Sequence, residues 1–199
     1  MAHNAQAVFF KTVKKTYPDF FIWKNVLEVG SLNINGTVRN LFEYCNYVGV
    51  DVGAGPGVDF AVPGQDVKYP DDSFDITISA ECFEHNPMWK ETFANMVRMT
   101  KPGGLITFTC AGLNRPEHGT ARSDVGSSPL TVGLGWDYYR NLMIEDFKEV
   151  DGLLDGLTYQ SFYNEGAQDL YFLAFKGELD SGSNLIEEQN WNGIDAETL

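Results

Sequence analysis

Short apolar runs alternate with segments of helical periodicity along most of the chain, and this alternation constrains the fold more than any single motif. Strands that alternate with helices form βαβ units, in which successive strands run parallel. The pattern therefore predicts an α/β fold with a mostly parallel sheet. Strands are predicted at Asn25–Val29, Tyr47–Asp51, Val58–Ala61, Phe74–Ser79, Leu105–Ala111, Lys148–Leu153 and Tyr171–Lys176. Helices are predicted at residues 2–16, Thr37–Tyr44, Met88–Thr100 and around Ile144–Phe147.

A length of 199 residues is enough for one domain with a sizeable core. Residues 1–177 are predicted to form that domain. Residues 178–199 are predicted to be an acidic C-terminal extension and a candidate for disorder. The extension holds no Lys or Arg, and its acids are Glu178, Asp180, Glu187, Glu188, Asp195 and Glu197. Its apolar residues Leu185, Ile186, Trp191 and Ile194 are candidates for docking on the domain.

The net charge of -14 makes a nucleic-acid partner unlikely, because binding to a phosphate backbone depends on Lys and Arg. No apolar run approaches the roughly 20 residues that span a bilayer, so no membrane span is expected. The first residues lack the pattern of a secretory signal, and a cytoplasmic location is expected. Cys45, Cys82 and Cys110 have neither metal-ligand nor disulfide spacing, so neither a metal site nor a disulfide is expected.

Four predicted strands end in residues suited to ligand binding, and ligands of parallel sheets bind beyond the carboxyl ends of the strands. Asp51 lies 21 residues after Gly30, close to the spacing at which an acid reaches the hydroxyls of a ribose. Taken alone, Gly30 could be an ordinary loop glycine and Asp51 a helix cap. Their order and spacing within one βαβ unit favour a cofactor site. The four ends are Glu28-Val29-Gly30, Asp51, Ala80-Glu81 and Cys110-Ala111-Gly112.

The loop in VLEVGSLNING, Val26–Gly36, narrows the choice of cofactor. It departs from the dinucleotide fingerprint G-x-G-x-x-G, because Leu32 stands at the second glycine position. A pyrophosphate requires the close backbone approach that this glycine allows, so NAD and FAD are disfavoured. A cofactor with a ribose and no phosphate tolerates the loop, and S-adenosylmethionine is such a cofactor.

Four segments between Val26 and Gly112 carry a family resemblance: VLEVGSLNING, YVGVD, PDDSFDITISAECFEHN and MVRMTKPGGLITFTCAG. In their order and spacing the chain resembles the class I S-adenosylmethionine-dependent methyltransferases, in particular the methyltransferase type 11 domain. The resemblance implies a Rossmann-like three-layer sandwich whose seven-stranded sheet is mostly parallel, with an antiparallel last strand. It also implies S-adenosylmethionine as the cofactor.

The resemblance assigns the cofactor-binding residues strand by strand. The loop Glu28–Gly36 would lie along the methionine part of the cofactor, and Asp51 would hold the ribose. The segment that contains Ala80 and Glu81 would line the pocket. The expected contacts are Glu28, Gly30, Ser31, Asn33, Asp51, Val52, Gln65, Asp66, Ala80 and Glu81.

One position departs from the family pattern. The acid that contacts adenine in the family falls at Pro63 here, and proline has neither a side-chain acceptor nor an N–H. Asp66 is expected to substitute for it, or the backbone of Gly64 and Gln65 to make the contact.

The acceptor side of the site is expected after the fourth and fifth strands. His85 and His118 are the candidate catalytic residues, since a histidine suits general-base chemistry near neutral pH. The ordinary alternatives are a capping or cofactor-packing role for His85 and a loop hydrogen bond for His118. The long loop from Leu113 to Trp136 is typical of a lid or binding loop.

Aromatic and basic residues in and after this loop are the expected substrate-binding residues. Aromatic rings can stack on a sugar or other ring, and an arginine can pair with a carboxylate or phosphate. The alternative is a helix that starts at Asp137 and packs its aromatics on the sheet. The candidates are Arg122, Trp136, Tyr139 and Arg140.

The leading hypothesis is an S-adenosylmethionine-dependent methyltransferase that acts on a small-molecule or glycan-type acceptor by direct displacement at the cofactor methyl. The alternative is a binding or interaction protein that keeps the fold without catalysis, which the proline at position 63 favours. A nucleotide-dependent oxidoreductase is disfavoured by Leu32.

Overall fold

The computed structural model describes residues 4–178 together with Leu185 and Ile186. The strands are β1 Asn25–Val29, β2 Asn46–Asp51, β3 Phe60–Ala61, β4 Phe74–Ala80, β5 Thr100–Ala111, β6 Leu157–Asn164 and β7 Asp169–Lys176. The helices are α1 Asn4–Thr16, α2 Trp89–Met99, α3 Pro129–Gly133 and α4 Ile144–Lys148. None of the helices in the described residues is long and apolar enough to cross a membrane.

All seven strands form one sheet in the order β3-β2-β1-β4-β5-β7-β6. The pairs from β3 to β5 are parallel, and β7 runs antiparallel to both of its neighbours. The predicted fold, a mostly parallel seven-stranded sheet with an antiparallel last strand, is confirmed. Because β1 pairs with β2 on one side and with β4 on the other, the topological switch point lies at the carboxyl end of β1.

Successive strand residues face opposite sides of the sheet, and each side has its own apolar core. Val26, Ile76 and Leu173 point toward α1, which contributes Phe9, Phe10 and Val13. Leu27, Ile106 and Phe172 point toward α2 and α4, which contribute Phe93, Met96 and Phe147. Helices on both faces of the sheet give the three layers that the sequence predicted.

The predicted strand Lys148–Leu153 is wrong. Lys148 ends α4, and the next residues form turns in which the amide of Leu153 donates to the carbonyl oxygen of Val150 at 3.1 Å. The segment has the apolar residues expected of a strand, but their side chains pack on the same core as Phe147 of α4. The strand itself starts later, at Leu157, and it is an edge strand with polar residues, so it has no continuous apolar run.

The predicted helix Thr37–Tyr44 is reduced to one 3-10 turn, Val38–Leu41. The backbone of Glu43 pairs instead with the segment before β1, donating to the carbonyl oxygen of Phe21 at 2.9 Å and accepting from the amide of Trp23 at 3.1 Å. This pairing requires an extended chain after Leu41 and excludes a further helical turn.

We expect Phe172→Ala to lower the free energy of unfolding by about 3–5 kcal/mol, the range for a large core side chain replaced by alanine. Phe172 is fully buried and stacks on Phe108 with 4.8 Å between ring centroids. Phe60→Ala is the matched control, because Phe60 in β3 is 55% exposed, and it should change stability by less than about 0.5 kcal/mol. Urea unfolding measures both, and similar losses for the two variants would contradict this account of the core.

Candidate functional site

A cavity of about 420 Å³ opens at the carboxyl ends of β1, β2 and β4, where the topology places the switch point. Its volume lies in the roughly 300–1,000 Å³ range of small-molecule pockets. The cavity is lined by six of the ten predicted cofactor-binding residues: Glu28, Gly30, Ser31, Asp51, Ala80 and Glu81. The convergence follows from the parallel sheet, which brings these strand ends to one edge.

Gly30 has to be glycine for two reasons. Its φ of +80° lies in the left-handed region, and a Cβ atom would stand 2.6 Å from the Cβ of Cys82. The amides of Gly30 and Ser31 both donate to the carbonyl oxygen of Val50, at 2.9 and 3.0 Å. The loop after β1 is therefore held between the ends of β2 and β4.

The carboxylate of Asp51 connects the loops after β1 and β2. It accepts from the amide of Leu32 at 3.0 Å and from that of Val52 at 2.7 Å. Burial raises its pKa, and these two hydrogen bonds act in the opposite direction. A carboxylate offers about four lone-pair positions, so Asp51 keeps capacity for further donors.

Glu28 is a buried acid at the floor of the cavity, 4% exposed. Burial raises its pKa to about 7, against a hydrogen bond from the hydroxyl of Tyr47 at 2.8 Å that lowers it. Glu81 is also buried, and desolvation together with the neighbouring Glu84 raises its pKa. The floor of the cavity therefore holds two carboxyl groups that a nearby positive charge would stabilise in the ionised form.

Residues 27–108 match the family model described as a methyltransferase domain. The fold is similar to that of a 1,6-didemethyltoxoflavin-N1-methyltransferase from Burkholderia thailandensis, with 15% identity, a TM-score of 0.57, and coverage of 87% of this chain and 77% of that one. The YcgJ protein from Bacillus subtilis has 14% identity and a TM-score of 0.59, with coverage of 89% of this chain and 100% of that one. A phosphoethanolamine N-methyltransferase from Haemonchus contortus has 14% identity and a TM-score of 0.58, with coverage of 86% of this chain and 53% of that one. No curated protein matches the chain.

Residues 27–108 therefore resemble a methyltransferase domain, and the fold is the one found in S-adenosylmethionine-dependent methyltransferases. The matched residues run from β1 to β5, five of the seven strands, and include the strand ends that line the cavity. Two of the similar methyltransferase structures contain S-adenosylmethionine or S-adenosylhomocysteine.

The lining of the cavity fits S-adenosylmethionine. The Oγ of Ser31 and both carboxyl oxygens of Glu81 are buried and have no hydrogen-bond partner among the described residues. S-adenosylmethionine brings an amino group, a carboxylate, ribose hydroxyls and a sulfonium cation, which can occupy such groups. Among the residues that line the cavity, Glu28, Asp51 and Glu81 are acidic and Lys11 is the one Lys or Arg, which suits a cation.

Four predicted cofactor-binding residues do not line the cavity. The side chain of Asn33 closes a turn by accepting from the amide of Gly36 at 2.9 Å, and Val52 follows Asp51 outside the lining. Gln65 accepts from the hydroxyl of Thr92 at 3.1 Å, on the α2 side. Asp66 borders a separate surface depression beside β3. The structure therefore does not place Gln65 and Asp66, the residues predicted near adenine, beside the six predicted cofactor-binding residues that line the cavity.

The two predicted catalytic histidines lie together, and one of them borders the cavity. Their ring centroids are 5.0 Å apart, and the ring of Tyr139 lies 5.6 Å from His85 and 5.0 Å from His118. Burial lowers the pKa of His85 to about 3, and burial also lowers the pKa of His118. Both imidazoles are therefore neutral at neutral pH. His85 lines the cavity, whereas His118 lies behind it.

The predicted substrate-binding residues do not line the cavity either. Arg122 forms ion pairs with Glu117 and Asp137, and Arg140 pairs with Asp146 in α4. The segment of Trp136–Arg140 is irregular, so the alternative of a helix starting at Asp137 is wrong. The carboxylate of Asp137 accepts from the amide of Ala121 at 2.9 Å, which ties two parts of the long loop together. Tyr139 remains close to the site through the two histidines.

Sequence reasoning missed the contribution of α1 and of residues 127–131. Gln6, Phe10 and Lys11 of α1 line the cavity on one side, and Leu130 lines it on another. Gln6 is 2% exposed and donates to the hydroxyl of Thr109 in β5 at 2.9 Å. The available signal was the position of Gln6 in the helix. It precedes Phe9 by three residues, Phe10 by four and Val13 by seven, so this polar side chain lies in the apolar stripe.

We expect Glu28→Gln to stabilise the protein in a pH-dependent way. The pKa of Glu28 rises from 4.5 to about 7 on folding, so wild-type stability is lost as the pH rises from about 4.5 to 7. The variant should match the wild type below pH 4.5 and exceed it by up to about 3 kcal/mol above pH 7. Urea unfolding over this pH range measures the difference.

The control is Glu145→Gln, because the Glu145 side chain is 65% exposed and its change should stay within about 0.5 kcal/mol at every pH. A gain in Glu28→Gln that did not vary with pH would contradict the burial of an ionisable group at this position.

Proposed function

We propose that the protein transfers the methyl group of S-adenosylmethionine to a small-molecule or glycan-type acceptor. One observation carries this proposal: a single cavity is lined both by Asp51 and Glu28, the predicted cofactor contacts, and by His85 and residues 127–131. A displacement reaction needs the two reactants aligned in one water-poor space, and a continuous cavity offers that space.

In this proposal the cofactor lies along the carboxyl ends of β1, β2 and β4. Asp51 accepts hydrogen bonds from the ribose hydroxyls, while Glu28, Ser31 and Glu81 surround the methionine part over the backbone of Gly30. Ala80 lines the same wall. Asn33 and Val52 act by shaping the two loops rather than by contact. Adenine binding through Gln65 or Asp66 stays a prediction, and neither side chain borders the cavity.

The charges of the lining disfavour an anionic acceptor. Three acids and one lysine line the cavity, so an anionic acceptor would meet unfavourable electrostatics there. The lining also includes the hydroxyl-bearing residues Ser127, Ser128 and Thr131, which suit a polar, sugar-like or heterocyclic molecule. The similar Burkholderia thailandensis enzyme holds such a small molecule, 1,6-didemethyltoxoflavin. The net charge of -14 makes nucleic acid an unlikely acceptor.

In the reaction, a lone pair of the acceptor forms a bond to the methyl carbon. The carbon–sulfur bond breaks, and its electron pair stays on sulfur to give S-adenosylhomocysteine. If the acceptor atom carries a proton, that proton has to leave, and a neutral imidazole beside the cavity can accept it. His85 and His118 remain the candidates for this role, with Tyr139 packed against both rings.

The other predicted substrate-binding residues have less support. Arg122 and Arg140 already pair with carboxylates, so recognition of an acidic acceptor by either would require those ion pairs to open. Trp136 is partly buried in the loop outside the cavity. Contacts of these residues with an acceptor stay predictions.

The division into a domain of residues 1–177 and an extension also stays a proposal. It is supported by β7, which ends the sheet at Lys176. Leu185 and Ile186 pack against the core on the α1 side, and the carbonyl oxygen of Ile186 accepts from Gln160 at 2.9 Å. Trp191 and Ile194 lie outside the described residues. The cytoplasmic location is likewise a prediction of the sequence.

We expect Asp51→Asn to weaken S-adenosylhomocysteine binding by about 1–3 kcal/mol, because it removes the charge that the ribose hydroxyls would meet. Asp59→Asn is the matched control. The carboxylate of Asp59 also accepts from a backbone amide, that of Gly49 at 2.7 Å, but it does not line the cavity. Isothermal titration calorimetry compares the two variants. Equal losses, or no loss in Asp51→Asn, would refute the ribose assignment.

Turnover tests the transferase activity itself. Purified protein is incubated with S-adenosylmethionine and pools of uncharged, cationic and anionic small acceptors, and S-adenosylhomocysteine formation is measured. We expect turnover in the uncharged pools, which include hydroxylated sugars and heterocycles. Cofactor binding without turnover in any pool would favour the alternative of a binding protein on the same fold.

A further inference from the structure

Three neighbouring side chains, one of which lines the cavity, carry polar atoms with no hydrogen-bond partner among the described residues. They are both carboxyl oxygens of Glu84, both ring nitrogens of His85 and the Nε2 of His118. Glu84 is fully buried and His85 is 3% exposed. Burying polar groups without partners is costly, and a native structure contains few of them. A cluster of such groups therefore indicates a ligand.

The donor atoms of the three residues are close enough to share one ion. One atom from each lies within 4.8 Å of the others, and the Oε1 of Glu84 is 3.9 Å from the Nε2 of His85. In a tetrahedral zinc site with bonds of about 2.0–2.1 Å, neighbouring ligand atoms are about 3.3 Å apart. Closing the widest gap by about 1.5 Å would bring the three ligand atoms to that spacing.

The hydrogen bond of His118 prepares the correct nitrogen for metal binding. Its Nδ1 lies 3.0 Å from the carbonyl oxygen of Pro116, which can only accept, so Nδ1 carries the proton and Nε2 keeps its lone pair. The hydroxyl of Tyr139 donates to the same carbonyl oxygen at 3.1 Å. Metal-bound histidines are oriented by partners of this kind.

From this arrangement we infer that Glu84, His85 and His118 bind a divalent transition-metal ion, and that the ion is zinc. Two imidazoles and one carboxylate form the ligand set of zinc sites that keep a fourth position open. The two nitrogen ligands disfavour Mg²⁺ and Ca²⁺, which prefer oxygen. The spacing of these residues in the sequence does not indicate the site, because His118 is separated by a strand and a helix from the adjacent pair Glu84-His85.

The site would face the cavity through His85, which lines it. The open position would then take a water molecule or an acceptor oxygen, whose pKa a bound zinc ion lowers. With the metal bound, the two histidines serve as ligands, and the loss of a proton from an acceptor hydroxyl would take place at the ion. Zinc binding itself does not depend on methyl transfer.

The test is a titration of the full-length, untagged protein with Zn²⁺ after treatment with a chelator, in the absence of cofactor. We expect one Zn²⁺ per chain by calorimetry, and no binding of Mg²⁺ under the same conditions. Titration with Co²⁺ should give visible d–d bands of a four- or five-coordinate site, without the charge-transfer band of a thiolate ligand. Absence of stoichiometric Zn²⁺ binding, equal binding of Mg²⁺, or a thiolate band from Cys82 would overturn the proposal.

Variants locate the ion. Glu84→Gln and His118→Ala should each weaken Zn²⁺ binding by more than about 100-fold, beyond the loss typical of residues that only orient a ligand. Glu117→Gln is the matched control, because it removes the same charge next to His118 from an exposed side chain that pairs with Arg122. It should bind Zn²⁺ as the wild type does. Unchanged Zn²⁺ affinity in both Glu84→Gln and His118→Ala would overturn the assignment.

Folding of the variants is checked independently of the metal. Glu84→Gln keeps the shape of the side chain, and His118 lies outside the cavity lining, so both variants should retain S-adenosylhomocysteine binding. If the wild type turned over no acceptor, the proposed methyl transfer would be wrong, but a positive zinc titration would still support the metal site. Failure of zinc binding would leave the cofactor assignment to Asp51 and Glu28 untouched.

Discussion

Burial of acidic side chains at the carboxyl edge of the sheet is the constraint on which the site depends. Glu28, Asp51 and Glu81 lie at or next to the carboxyl ends of three neighbouring strands; Glu28 and Glu81 are buried and Asp51 is partly buried. Two of them have some compensation, from the hydroxyl of Tyr47 and from the amides of Leu32 and Val52. A cation that enters the cavity would offset the remaining cost, so these buried acids favour a positively charged ligand over an anionic one.

The sequence predicted the parts of the site that follow from strand order. Parallel strands align their carboxyl ends, so Gly30, Asp51 and Glu81 had to meet once their strands were recognised. The position of Gly30 is fixed further by the approach of Cys82, which leaves no space for a Cβ atom. This contact could not be read from the sequence, because it joins loops about 50 residues apart and depends on how closely β1 and β4 pack.

The errors have a different origin, since they fall where long-range pairing overrides a local pattern. The segment around Glu43 has helical character but pairs with Phe21 and Trp23. Arg122 and Arg140, in and after the long loop, pair with Asp137 and Asp146, and their contact with an acceptor stays a prediction. These ion pairs could not be read from the linear sequence, because the course of the backbone determines which acid each arginine meets.

The path of the long loop also decides how the histidines meet. Phe83 is fully buried against Phe108, with 4.8 Å between ring centroids, and it anchors the 3-10 turn that carries His85. From the other side, the loop crosses His85 at Gly119, whose φ is +64° and whose Cβ would stand 2.6 Å from the imidazole Cε1. The amide of Arg140 then donates to the carbonyl oxygen of Glu84 at 2.9 Å. The imidazole of His85 is therefore held between the rigid aromatic core and the loop. Any change that moves the loop also changes the distance between His85 and His118. Because residues 127–131 of the same loop line the cavity, the shape of the cavity is linked to the geometry of Glu84, His85 and His118.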